Sequence, residues 1–117
     1  MEQINRIELR GVVGMVRSQI VENAKVYHFT VATNRAYKDR SGMAVIETTW
    51  HQVTTWDKND GTNEGLDHLD RGSKVYLTGR LKLDKYVGND EIERQRCEVI
   101  TNRVVVLDGP EQLEYEF

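Results

Sequence analysis

One cysteine and one proline are all that these 117 residues hold of either type, and no apolar run approaches the length of a membrane span. Each shortage excludes something. The lone thiol, Cys97, rules out an intrachain disulfide and a thiolate zinc cluster. With no signal-peptide core in view, a reducing cytoplasm is the expected compartment, and Cys97 reads as a small apolar residue near a core strand. The short apolar runs leave no membrane-spanning helix to expect. Pro110 marks where ordered structure is expected to stop. Histidine is scarce too. His28, His51 and His68 show no H-x-x-H or H-E-x-x-H spacing, so no metal is expected. A Walker loop, a G-x-G-x-x-G turn and a Ser/His/Asp pattern are all missing, and the reading is of a non-enzyme without a cofactor.

What is present suits one soluble domain, with 38% hydrophobic and 30% charged residues. A chain of this size buries about two-thirds of the surface its unfolded form exposes, so it needs no covalent staples. The net charge of −3 at first argues against a nucleic-acid partner. Its distribution weakens that objection. Four acids and no base lie between Asp108 and Phe117, which leaves residues 1–107 at +1. A second acidic cluster, Asp57, Asp60, Glu64, Asp67 and Asp70, shares one segment with Lys58 alone. The remaining strands and hairpins are net basic, and local charge decides what a surface attracts.

Hydrophobic alternation divides the chain into elements. "NRIELRGVVGMVRSQIV" reads as a long strand bent at Gly11 and Gly14. "AKVYHFTVATN" places Tyr27, Phe29, Val31 and Thr33 on one face, and the polar loop "RAYKDRSGM" follows. A third strand runs from about Ala44 to Trp56. "DKNDGTNEGLDHLDRG" carries the one helix signal, two or three turns capped near Asp60, Thr62 or Asn63 and ended by Gly72, with Leu66 and Leu69 toward a core. "SKVYLTGRLKLDKY" alternates Val75, Leu77, Gly79, Leu81 and Leu83 against polar residues, "VGND" reads as a turn, and "IERQRCEVITNRVVVL" is the last strand. Three strands, a short helix and two strands is the chain order of an OB-fold, an all-β five-stranded antiparallel Greek-key barrel. The expected domain is residues 1–107, with 108–117 as an acidic tail.

The aromatics sit in unusual company. Trp50 and Trp56 are six residues apart, so a strand points both to one face, and Gln52 and Thr54 lie between them. Tyr37 stands among Arg35, Lys38 and Arg40, and Tyr86 beside Lys82 and Lys85. Rings interleaved with cations are what an unpaired strand requires, because bases stack on the rings while the cations neutralise phosphates. The expected stacking set is Tyr37, Trp50, Trp56 and Tyr86. The expected phosphate set is Arg35, Lys38, Lys82 and Lys85, joined by Arg17 and Arg80. Tyr27 and Tyr76 lack this setting and read as packing residues. A protein-interaction OB module of the primosome-accessory kind and an RNA-binding OB domain are the alternatives, since stacking does not read the 2′-hydroxyl.

"NRIELRGVVG", "TTWHQV", "LDRGSKVYLTGRL" and "EVITNRVVVL" together resemble the bacterial single-stranded DNA-binding protein family, over nearly all of residues 4–107. The resemblance implies protection of single-stranded DNA in replication, recombination or repair, in the bacterial cytoplasm at the nucleoid. The family's main stacking positions fall on Tyr37, Trp50, Trp56 and Tyr86, with tyrosine replacing the more usual tryptophan at Tyr37 and Tyr86. It also implies a homo-oligomer, a tetramer before a dimer, with His51 near a subunit contact. About ten residues follow the last strand where the family usually carries a long Gly/Pro/Gln-rich tail, so a short form is expected. In the family the acidic C-terminus docks on replication and repair proteins, which makes Phe117 the candidate docking residue.

Overall fold

Two bulges bend the long strands into a barrel. The computed structural model describes residues 1–57 and 66–107, with strands β1 (Ile7–Val21), β2 (Ala24–Lys38), β3 (Ala44–Asp57), β4 (Lys74–Val87) and β5 (Glu93–Leu107). The strands close in the order β1-β2-β3-β5-β4, and β1 pairs with β4 to seal the barrel. All neighbours are antiparallel except β3 and β5, which pair in parallel through Val53, Thr54 and Thr55. The first bulge lies between Val13 and Val16, at the glycine the sequence marks as a bend. There Met15 N–H donates to Thr30 Oγ1 at 2.9 Å, which satisfies an amide that the ladder leaves unpaired. The second bulge leaves Asn102 of β5 unpaired, because Thr78 faces Arg103 while Gly79 already faces Thr101. Thr101 Oγ1 donates to the Thr78 carbonyl and accepts from Arg103 N–H at 3.1 Å, holding the bulge shut.

The core is the inward row of each strand: Leu9 and Val13, Tyr27, Phe29 and Val31, Val53, Val75 and Leu77, Val99 and Val104. Tyr27 is a core residue as expected. Tyr76 is only half-buried on the outer surface, where its hydroxyl donates to Glu8 and Arg10 lies 5.4 Å from its ring.

Of the expected helix, the described residues hold only its end. Within the described residues it is one 3-10 turn, Leu66–His68, and the proposed caps at Asp60, Thr62 and Asn63 lie outside them, as does Glu64. A 3-10 turn already brings residues i and i+3 to one side. Leu66 and Leu69 are thus both buried at the barrel end, as their spacing predicts, with no second turn needed.

Beyond the barrel, β2 with β3 and β4 with β5 continue as two-stranded arms. β2 reaches Lys38, so Tyr37 belongs to a strand and not to the loop before β3. On the other arm, Leu81 and Leu83 keep the inward alternation, opposite Val99 and Cys97, but Leu83 is 61% exposed. Cys97 is exposed as well, against the expectation of a near-core residue. Alternation sets which face a side chain takes, and only the barrel behind that face buries it. The tail, residues 108–117 with Phe117, lies outside the described residues.

Candidate nucleic-acid interface

Trp50 and Trp56 point outward on the same row of β3, 58% and 41% exposed. The opposite row, Val53 and Thr55, is buried. The floor beneath Trp50 is a glycine. A Cβ placed on Gly14 would stand 2.5 Å from Cζ3 of the indole, so the bulge glycine lets the ring lie across β1. The two tryptophans are therefore presented by the strand register, and one of them has a seat shaped for it.

Between them the face is polar and internally bonded. His28 faces Thr54 across β2 and β3, with Nδ1 3.0 Å from Thr54 Oγ1. Thr54 Oγ1 donates to Glu98 Oε2 on β5 at 3.1 Å. A hydroxyl has one proton, so His28 must carry its own on Nδ1 and donate it to Thr54. Burial holds the His28 imidazole below its ordinary pKa, aided by the charges of Arg17, its register partner, and Arg96 against that of Glu98. His51 takes the inward row opposite Val31, half-buried, with Nε2 2.9 Å from Thr33 Oγ1 and its pKa lowered by burial. It lies off the tryptophan row.

The Glu98 contact carries this face onto the β4–β5 arm. Lys82, Asp84 and Tyr86 pair with Glu98, Arg96 and Arg94, so all six share one side. Tyr86 is 44% exposed, with the Arg96 guanidinium 5.7 Å from its ring centroid. Tyr37, 38% exposed with Arg35 5.9 Å from its ring, is placed differently. Ala32 pairs with Trp50, and Tyr37 lies an odd five residues further along β2, so it projects from the opposite side of its arm.

The cations divide as well. Lys82 lies 3.4 Å from Asp84, and Lys85 3.7 Å from Glu93, from the reverse face of the arm. Among the described residues Arg17, Arg35, Lys38 and Arg80 have no ion pair. Between Trp56 and the root of β4 a cleft of about 540 Å³ opens, lined by Arg6, Arg80, Ile100 and Asn102 among others. Arg6, Arg96 and the Trp50 seat are absent from the sequence-based set. Gly14 was legible as a bend and not as a seat; Arg96 comes into place through strand pairing, and Arg6 through the Asn5 amide that ties the chain before β1 to Leu81.

Residues 4–107 match the sequence profile of the single-strand binding protein family. The chain belongs to this family. It is 37% identical over 84 residues to a single-stranded DNA-binding protein of Neisseria meningitidis serogroup B, covering 72% of this chain and 47% of that protein. The chain thus spans about half the length of the curated relatives it matches first. Among solved structures, a Plasmodium falciparum SSB in complex with ssDNA aligns with a TM-score of 0.78 at 30% identity, covering 92% of this chain and 98% of that one. A Thermus aquaticus single-stranded DNA-binding protein, a deletion mutant, shares the fold with a TM-score of 0.74 at 18% identity, over 91% of this chain and 51% of that one. The OB-fold expected from the order of elements is the fold observed. No helix among the described residues is long and apolar enough to cross a membrane, and no group of three His, Cys, Asp or Glu there is placed to hold a metal.

Proposed function

We propose that this chain binds single-stranded DNA with little sequence preference and performs no catalysis, protecting unpaired strands during replication, recombination or repair. The observation that carries the reading is the pair of outward tryptophans on β3, one seated on Gly14, set in a polar face. Stacking on such rings tolerates any base, and the phosphate contacts make affinity fall with salt. Bases stack on Trp50, Trp56 and Tyr86 along one continuous face, and on Tyr37 after the strand rounds the edge of the β2–β3 arm. Arg35 and Lys38 meet phosphates beside Tyr37; Lys82, Lys85, Arg17 and Arg80 serve the remainder. Family membership and the ssDNA complex of the Plasmodium relative support DNA over a protein or RNA ligand.

The chain works as a homo-oligomer, with a tetramer favoured over a dimer, because subunit pairing covers sheet edges and faces that one barrel leaves open. His51 packs near a subunit contact, and Phe117 offers a docking point to replication or repair proteins in the cytoplasm.

A fluorescence titration tests the reading. Oligo(dT) should quench tryptophan emission strongly at low salt and progressively less as salt rises, and poly(U) should quench less. Silence toward both polymers, with the fold intact, would overturn it. Light scattering that gave a monomer at micromolar concentration would remove the oligomer.

A further inference from the structure

The cleft beside Trp56 combines three kinds of group that a nucleotide engages. Trp56 lends the lining an aromatic ring and Ile100 an aliphatic side chain. Arg6 and Arg80 bring two guanidiniums, neither ion-paired among the described residues, whereas Lys82, Lys85 and Arg94 each lie within 4 Å of a carboxylate. The third group is the Asn102 amide. It belongs to the bulged residue of β5, lines the cleft, and makes no hydrogen bond among the described residues. Bulges commonly re-aim one side chain out of the ladder in this way.

Arg6 precedes β1, where a chain end would ordinarily wander. Here it is pinned. Asn5 Nδ2 donates to the Leu81 carbonyl at 2.8 Å, and Leu81 N–H donates to Asn5 Oδ1 at 3.0 Å. The side-chain amide thus imitates a strand partner for β4 just past Gly79 and Arg80. The residue after it, Arg6, is held against the cleft wall.

We infer that the cleft is a nucleotide subsite, in which one base packs against Trp56 over Ile100, its phosphodiester meets Arg6 and Arg80, and Asn102 hydrogen-bonds the base edge. Asn5 is the positioning residue that sets Arg6. The inference rests on the proposed function and deepens it. It moves ionic contact with the strand from the paired lysines of the β4–β5 arm toward the root of β4.

The test uses the intact chain and oligo(dT), with affinity measured across salt. Arg6→Ala should weaken binding roughly tenfold at low salt and reduce the salt slope by about 0.7, the value of one phosphate contact on a single strand. Asn5→Ala should do nearly the same, and the double variant should be no worse than Arg6→Ala alone, because both changes remove one contact. Asn102→Ala should weaken binding a few-fold with the slope unchanged, since the amide is uncharged. In Trp50→Phe, Trp56 is the sole tryptophan, and its emission should still be quenched. Melting temperatures check that each variant folds; Asn5 and Arg6 lie outside the barrel strands. If Trp50→Ala weakens binding while Arg6→Ala keeps the parent affinity and slope, the subsite is wrong and the proposed function stands; if Trp56 is not quenched, the subsite is wrong and Trp56 leaves the stacking set with it. If neither Trp50→Ala nor Arg6→Ala changes binding, both readings fall. An additive double variant, or Asn5→Ala behaving as the parent, removes the positioning role.

Discussion

The two arms that leave the barrel carry the same ingredients in different electrical states. Between residues 35 and 47, the β2–β3 arm holds three cations and two carboxylates; between 82 and 98, the β4–β5 arm holds four cations and five carboxylates. On the first, Asp39 is occupied at the turn, where its Oδ1 accepts from Ser41 and Met43, and these hydrogen bonds hold its carboxyl below the usual range. Arg35 and Lys38 are left without ion pairs among the described residues. On the second, Lys82, Lys85 and Arg94 each have an acid at hand. Exposed pairs of this kind are worth at most about 1 kcal/mol, so a phosphate can displace the acid, but the net ionic gain shrinks. The number of lysines and arginines near an aromatic therefore does not by itself set the strength of a binding surface.

Trp50 lies on the barrel face between the arms and sets the scale against which both are judged. Trp50→Ala should weaken oligo(dT) binding by about 1–3 kcal/mol with little change in melting temperature, as titration and thermal denaturation would show. A loss below that range would mean that the arms, and not the barrel face, dominate.

The charge contrast makes the next prediction. Arg35→Ala with Lys38→Ala should lower the salt slope by about 1.4, two single-strand phosphate contacts. Lys82→Ala with Lys85→Ala should lower it by less than half as much, because Asp84 and Glu93 already neutralise those ammonium groups. Equal slopes from the two double variants would erase the distinction between the arms.

A smaller effect separates the tyrosines. Tyr86 continues the tryptophan face, whereas Tyr37 projects from the other side of its arm. Tyr86→Ala should therefore weaken both short and long oligonucleotides, and Tyr37→Ala only those long enough to pass round the β2–β3 edge. Measuring both variants over a ladder of oligo(dT) lengths would reveal the difference, and matching length profiles would contradict it.

The smallest effect is in pH, and it belongs to the β2–β3 side, which holds both His28 and His51. Burial, the first cause for each, lowers both below the ordinary value of 6.5. As pH falls through that value, the unfolded chain takes up protons before the folded one does. The stability these histidines contribute is whole above about pH 6.5 and is lost progressively below it. Melting temperature should drop between pH 7 and pH 5, and His28→Gln with His51→Gln should flatten the drop.

Much of this interface was legible in the residues. The even spacing of Trp50 and Trp56 on a Thr/Gln row carried through because β3 has no bulge between them. Gly14 was readable as a bend, though not as a seat for an indole. The alternation of β4 gave the correct face for Leu81 and Leu83 but not their exposure. Among the described residues the helix signal comes down to one 3-10 turn: two leucines three residues apart satisfy it as well as a longer helix, and periodicity cannot separate them.

The sequence by itself determined the order of elements, the bend of β1 at Gly14 and the outward tryptophan row, because each follows from a pattern written within one strand. Tertiary structure decided which cations are paired, which side of its arm Tyr37 takes relative to the tryptophans, and that Arg6, Arg80 and Asn102 meet at one cleft. The ion pairs span only a few positions of one hairpin, but its register sets them; the cleft joins residues 22 to 96 positions apart, brought together by strand pairing and by a single unpaired residue in β5, and no local pattern encodes where such partners meet.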